Sequence, residues 1–389
     1  MNYPCEFAVI CFFRTSMRIL IADILQSNAQ TLINTVNCVG VMGKGIALEF
    51  KERFPEMFED YLKRCERKEV QPGVPYIYKR LLPPNIINFP TKDHWKSVSR
   101  ISDIERGLQH LLSHYKEWEV TSLAIPPLGC GNGQLEWKTV GPLIYRYAHQ
   151  MDIPVELYAP YGAPPKELTI DFLSQEPVTT LQRKTVQSAI NPAWLGLIEI
   201  LRQIESKPYH WPTGRTIFQK IAYVATREGL PTGFRYERGS FGPFSKDLKN
   251  AESKLVNSNL LQEERKGSMF VVKVGPNFAR LRNDFQQSIS QWKPIVEKTT
   301  DLFLRMNTDQ AEVVATVIFA ADALKKQRNS VPSETEVLDS VMQWKQRRQP
   351  PLEPKTVAST IRNLGMLRWL DVKPDVDLLV AEEEELVEA

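Results

Sequence analysis

A mixed α/β layer fold followed by a mainly helical second region is the architecture this sequence predicts. Three observations carry the prediction. Short apolar strands alternate with helix-spaced segments between residues 17 and 160, two glycine-rich loops close two of those strands, and the apolar spacing turns to the helical period beyond residue 191. In order, the pattern gives strands at 18–21 and 31–34 and a helix at 46–54. Strands at 76–78 and 86–89, a helix at 102–115, a strand at 122–125, a helix at 137–149 and a strand at 155–158 follow. Ligands of such sheets sit beyond the carboxyl ends of the strands, where both glycine loops fall.

The run from Asn34 to Phe50 (NTVNCVGVMGKGIALEF) joins a buried strand to a glycine-hinged turn and then to a helix. Gly40, Gly43 and Gly45 can take positive φ and let a ligand approach the main chain, while the helix beginning near Ile46 points its positive dipole end at the same place. Phosphate is the guest this predicts, although such turns also serve as plain connectors. The second loop, LAIPPLGCGNGQL from Leu123 to Leu135, again ends an apolar strand in glycines. Two cradles of this kind predict a diphosphate held between them.

The motifs ADIL at 22–25, the Asn34–Leu48 run and Pro127–Asn132 together resemble a macrodomain, the ADP-ribose-binding module, over residues 17–160. Within macrodomains, Gly-Lys-Gly-Ile-Ala followed by Asn88-Phe-Pro-Thr-Lys92 is similar to the branch of terminal ADP-ribose protein glycohydrolase and the bacterial DarG antitoxins, and the long C-terminal half fits the DarG family better. In that family a partner toxin, DarT, attaches ADP-ribose to thymidine of single-stranded DNA and the antitoxin macrodomain removes it. The resemblance therefore implies a DNA ADP-ribosyl glycohydrolase, an N-glycosyl hydrolase that needs no cofactor and no metal.

The resemblance also implies roles for particular residues. Lys92 matches the family's catalytic lysine. It follows an apolar strand and the bend at Pro90, and desolvation among Val39, Met42 and Trp95 would favour the neutral amine that attack at the anomeric carbon requires. Asp23, followed by Ile24, matches the aspartate that accepts from the adenine amino group, or it caps a turn. Asn37 is placed to hold the distal ribose, or it ties its own loop. Gly43, Lys44, Gly45 and Ile46 from the first loop and Leu128, Gly129, Cys130, Gly131, Asn132 and Gly133 from the second complete the expected ADP-ribose contacts. Lys44 either offsets diphosphate charge or is simply solvated. Cys130 reads as a packing residue, since its loop holds no histidine to activate it. One departure stands out: protein-directed relatives carry an aspartate where this chain has Gly133, so the acid/base partner of Lys92 is unassigned. A thymine anion is a good enough leaving group for a simpler site.

Composition bounds the remainder. With 389 residues, 42% of them hydrophobic, the chain can bury more than one core. No apolar run approaches a membrane span, and the five cysteines form no close pair. A cytoplasmic location is the expectation. Residues 1–16 read as a disordered or artefactual leader, because their apolar stretch lacks the basic start and cleavage site of a signal peptide, and Met17 is a plausible true start.

Prolines and a glycine from Pro160 onward mark 161–190 as a linker. Beyond it, helices at 192–205 and 215–227 and a hairpin at 263–274 turning at Lys266-Gly267 outline a winged-helix arrangement, and 334–347, 355–364 and a strand-like 367–372 repeat that order weakly. The resemblance gives 191–381 to binding the DarT-like toxin, with an acidic tail at 382–389. Arg215, Lys220, Arg235, Arg238, Lys246 and Lys249 would form a DNA footprint if they shared one face, although a net charge of only +3 argues against it. The stretch from Tyr236 to Phe244 reads instead as a rigid aromatic contact loop. An alternative for the whole chain is a non-catalytic ADP-ribose reader with a DNA-binding, autoregulatory second half.

Overall fold

The computed structural model describes residues 17–175, 190–267, 269–376 and 378. The chain divides into two compact units, meeting in sequence at residue 185. Among the described residues, no helix is long and apolar enough to cross a membrane. The expected leader, the acidic tail and residues 176–189 of the expected linker lie outside the described residues.

The first unit holds strands β1 (Met17–Leu20), β2 (Thr31–Val36), β3 (Tyr76–Tyr78), β4 (Asn85–Pro90), β5 (Leu123–Ile125) and β6 (Val155–Tyr158). Its helices are α1 (Gly45–Arg53), α2 (Pro55–Glu66), α3 (Ile101–His114), α4 (Trp137–Ala148) and the single turn α5 (Ile170–Leu173). The strands form one sheet in the order β1-β6-β5-β2-β4-β3. All neighbours are parallel except β3, which pairs antiparallel with β4 at the edge. Successive side chains of a strand face opposite ways, so Leu32 and Ile86 pack with Phe50, Met57 and Tyr61 on one face, and Ile33 and Ile87 pack with α3 and α4 on the other. Both faces are covered, as parallel strands require. The parallel order places the loops after β5, β2 and β4 side by side on one edge of the sheet.

Two departures from the sequence reading have simple causes. Helix α2 was not expected; Pro55 occupies its first turn, where the missing N–H costs nothing, and Met57 and Tyr61 one turn apart are fully buried. The expected linker does not begin at 161. Residues 165–173 form a 3-10 turn and α5, with Leu173 fully buried and Trp137 Nε1 donating to the Glu167 carbonyl at 3.2 Å.

The second unit contains α6 (Pro192–Glu205), α7 (Arg215–Arg227), the hairpin β7 (Glu237–Gly239) and β8 (Gly242–Phe244), α8 (Lys246–Asn257), and the hairpin β9 (Leu261–Lys266) and β10 (Met269–Val274). Helices α9 (Phe278–Asp284), α10 (Gln286–Gln291), α11 (Lys293–Phe303), α12 (Thr308–Arg328), α13 (Glu334–Lys345) and α14 (Pro354–Met366) follow. The second expected repeat ends without a strand at 367–372: among the described residues past α14 the chain makes only an isolated bridge between Ser333 and Lys373.

The expected basic footprint loses two of its six cations to the fold. Lys220 is buried and donates to the Pro243 carbonyl at 2.8 Å, Arg215 pairs with Glu263, Arg238 lies over the Trp344 ring, and Lys246 pairs with Glu237. Lys220 and Arg215 are thus committed within the fold, whereas Arg235, Arg238, Lys246 and Lys249 are exposed.

Candidate functional site

The first glycine loop leaves β2 at Val36 and enters α1 at Gly45. Gly40 and Gly45 take the left-handed conformation, at φ +78° and +58°, and Gly43 does not. Gly43, Lys44 and Gly45 are all exposed, and the extended Lys44 that precedes α1 gives the helix no side-chain cap. The first amides of α1 thus face outward at the positive end of the helix dipole, the arrangement that receives an anion. The second loop leaves β5 and turns back through Gly129 at φ +73°, with the Leu135 amide donating to the Gly129 carbonyl at 3.0 Å.

The two loops approach each other. A Cβ placed on Gly45 would lie 3.5 Å from Nδ2 of Asn132, while one on Gly131 would meet nothing within 4 Å. Gly133 is different: a Cβ there would fall 2.5 Å from the Gly129 carbonyl oxygen and 2.2 Å from Ser99 Oγ. No side chain fits at 133. The place of the aspartate of protein-directed relatives is therefore closed to it by the backbone of its own loop, and Gly133→Asp would distort the cradle rather than supply an acid.

Lys92 stands where the loop after β4 meets the other two. Its residue is 8% exposed, and Nζ donates to the Asn132 carbonyl at 2.9 Å and to the Trp95 carbonyl at 3.2 Å. The first bond ties the amine to the second glycine loop. The main chain at 92–93 is fixed from the first loop, since the Cys38 amide donates to the Asp93 carbonyl at 3.1 Å and Cys38 Sγ to the Lys92 carbonyl at 3.4 Å. Farther along, the Ser99 amide donates to the Gly133 carbonyl at 2.9 Å. Of the expected pocket walls, Met42 is buried, whereas Val39 and Trp95 are 38% and 47% exposed.

Other expected residues divide by what their side chains do. Asn37 makes the tie to its own loop: Nδ2 donates to the Val41 carbonyl at 2.5 Å, while Oδ1 accepts from the Val39 amide at 3.0 Å and from the Tyr61 hydroxyl at 3.1 Å. Asp23 is exposed and caps a 3-10 turn at Ile24–Gln26, one carboxylate oxygen accepting from the Leu25 amide at 2.9 Å. Ile24 and Leu128 put their side chains into the two cores, so only their backbones can face a ligand. Ile46 is half-buried and packs against the α1 side of the sheet. Burial pushes the Cys130 thiol up to about 12, which removes it as a nucleophile. Among the described residues, no cluster of three or more His, Cys, Asp or Glu side chains could hold a metal.

Sequence reasoning missed Asn34 and Asn88, fully buried and joined by a 3.0 Å hydrogen bond from Asn34 Nδ2 to Asn88 Oδ1 across β2 and β4. Polar residues in otherwise apolar strands are the signal that marks them. They lock the register of the two strands that carry the first loop and Lys92.

The macro domain family model matches residues 33–144. The DNA ADP-ribosyl glycohydrolase of Mycobacterium tuberculosis is 32% identical over 351 residues, 87% of this chain and 91% of that protein. Its counterpart from Thermus aquaticus is 35% identical over 243 residues, covering 61% of this chain and 64% of the relative. A DNA ADP-ribosyl transferase-DNA ADP-ribosyl glycohydrolase fusion protein from Thermosipho africanus is 43% identical over 156 residues, 36% of this chain and 40% of the fusion.

Proposed function

The chain belongs to the DNA ADP-ribosyl glycohydrolase family, and from that premise we propose that it cleaves the N-glycosidic bond joining ADP-ribose to thymidine in single-stranded DNA. The observation that carries this reading is the Lys92 amine, held between the Asn132 and Trp95 carbonyls beside the two glycine cradles. The cradles take the diphosphate on backbone amides, which places the ribose anomeric carbon near Lys92. The neutral amine attacks that carbon, the carbon–nitrogen bond to the base breaks, and the electron pair leaves with the thymine, which takes up the proton released from Nζ. Water then attacks the same carbon, freeing ADP-ribose and restoring the amine. Asp23 binds the adenine amino group with the carboxylate oxygen not used in its cap, Asn37 shapes the loop around the ribose, and Lys44 offsets diphosphate charge.

The second unit, on this reading, binds a DarT-like DNA ADP-ribosyl transferase and neutralises it, making the chain the antitoxin of a pair that works in the cytoplasm. The Thermosipho protein, in which the two activities share one chain, supports such a partnership. So does the hairpin of β7 and β8, where Phe241 is 64% exposed while the Ser240 and Pro243 carbonyls are gripped by Lys345 and Lys220, each at 2.8 Å. An exposed aromatic on a rigid turn is a protein-interface anchor. The autoregulatory, DNA-binding alternative for this half loses Lys220 and Arg215 from its basic face, since both are committed within the fold.

Lys92→Ala tests the catalytic reading. Release of ADP-ribose from a modified thymidine oligonucleotide should fall to background, while affinity for free ADP-ribose stays within about tenfold, or roughly 1.4 kcal/mol. Hydrolysis that survives the substitution would leave the chain a macrodomain in which Lys92 has no chemical part.

A further inference from the structure

The turn that follows Lys92 is built rigidly and presents an aromatic surface that packing of the fold does not use. Its conformation is set from within: the His94 amide donates to Asp93 Oδ1 at 2.8 Å, the Lys96 amide to His94 Nδ1 at 3.1 Å, and the Ser97 amide to the His94 carbonyl at 2.9 Å. Ser97, Val98 and Ser99 then run into the interior. Within this frame the Trp95 indole is 47% exposed, with the His94 ring stacked at 5.5 Å and 27° and the Lys96 ammonium 4.9 Å from the indole centroid. Leaving so large an apolar ring half in water forgoes burial that would stabilise the fold. The residue whose ring is exposed is also the residue whose carbonyl holds the Lys92 amine at 3.2 Å.

We propose that His94, Trp95 and Lys96 form the landing platform for the DNA strand: the Lys96 ammonium leaves the indole face it covers to meet a phosphate, and a nucleobase takes its place on the Trp95 ring, opposite or beside the stacked His94. This rests on the glycohydrolase reading above and adds to it the part of the site that recognises nucleic acid rather than ADP-ribose. The chemistry matches on both counts. A substrate that extends from the ribose carbon as a base and then a phosphodiester offers a flat apolar plane followed by an anion, and aromatic rings interleaved with cations are the surface that single strands bind. Base stacking of this kind tolerates any sequence, because every base has a π face. Since the platform and the clamp on Nζ are the same residue, a strand seated on the indole lies within a side chain's length of the bond to be broken. Trp95 is a specificity residue, not a catalytic one.

The test compares two substrates, a single-stranded oligonucleotide carrying one ADP-ribosylated thymidine and the ADP-ribosylated thymidine nucleoside alone. Trp95→Ala should lower kcat/KM on the oligonucleotide by about ten- to a hundredfold, the range for loss of one stacked base. The loss on the nucleoside should be at least about fivefold smaller, Trp95→Tyr should recover most of it, and Lys96→Gln should flatten the salt dependence of oligonucleotide turnover. Calorimetry with free ADP-ribose should show unchanged affinity for Trp95→Ala. An unchanged ratio of oligonucleotide to nucleoside turnover would overturn the platform, and so would an equal loss of free ADP-ribose affinity, which would mean that the indole only supports the fold of the pocket. Lys92→Ala, run alongside, separates the two levels. Its inactivity with an unaffected Trp95→Ala defeats only the platform, whereas an active Lys92→Ala defeats the glycohydrolase mechanism itself.

Discussion

The two units use charge in opposite ways. In the first, the polar groups that matter for ligand binding belong to the backbone: amides at the uncapped start of α1, a loop whose glycines leave no side chain in the way, and one lysine held by two carbonyls. In the second, the outstanding charges are turned inward. Glu312 and Lys345, each only 2% exposed at the side chain, form a 2.6 Å pair that Arg348 joins; Glu199 is shared by Arg202 and Arg282; and Glu334 binds Arg362. The difference teaches where each unit can fail. The first is sensitive to added atoms and the second to removed ones.

Added atoms should have the larger effect on function. Gly133→Ala puts a Cβ 2.5 Å from the Gly129 carbonyl and should abolish measurable ADP-ribose binding, whereas Gly131→Ala, which meets nothing within 4 Å, should bind within about threefold of wild type. Equal behaviour of the two alanines in a ligand titration would break the claim that loop shape holds the diphosphate.

Removed atoms should tell mainly on stability. Glu312→Ala leaves Lys345 buried without its carboxylate, a change that costs about 3–5 kcal/mol in comparable pairs and should lower the melting temperature of the full chain while ADP-ribose affinity is unchanged. A smaller effect follows from Glu199. Burial raises its carboxyl pKa, but hydrogen bonds from Arg202 and Arg282 outweigh that and bring it down to about 2 from an ordinary 4.5. The folded carboxyl is more acidic than the unfolded one, so its contribution is complete above pH 4.5 and disappears as the pH falls toward 2. Melting curves across that window should steepen in their pH dependence for wild type and flatten for Glu199→Gln. No difference between them would remove the arginine clamp as a source of stability.

Much of the first unit was legible because its signals are local. Strand periods, the helix-opening glycines and the Pro90 bend before Lys92 are each written within a dozen residues. What escaped depends on distant neighbours. Gly133 is crowded by Gly129 and by Ser99, from another loop, so its lack of a side chain reads in sequence as a missing acid and in space as a steric requirement. Asn37 carries a tie to Tyr61 from α2, a helix the sequence reading did not include. Lys220 looked like part of a basic footprint because helix spacing alone does not say which face a neighbouring hairpin will cover. The exposed Trp95 indole was equally invisible, since an apolar residue after a strand reads as pocket wall.

The central claim is that two backbone cradles hold the diphosphate of ADP-ribose beside Lys92. Isothermal titration of the full chain with ADP-ribose tests it most directly. A saturable, one-to-one heat is predicted, displaced by ADP and absent in Gly133→Ala; no heat with ADP-ribose at millimolar concentration would contradict it.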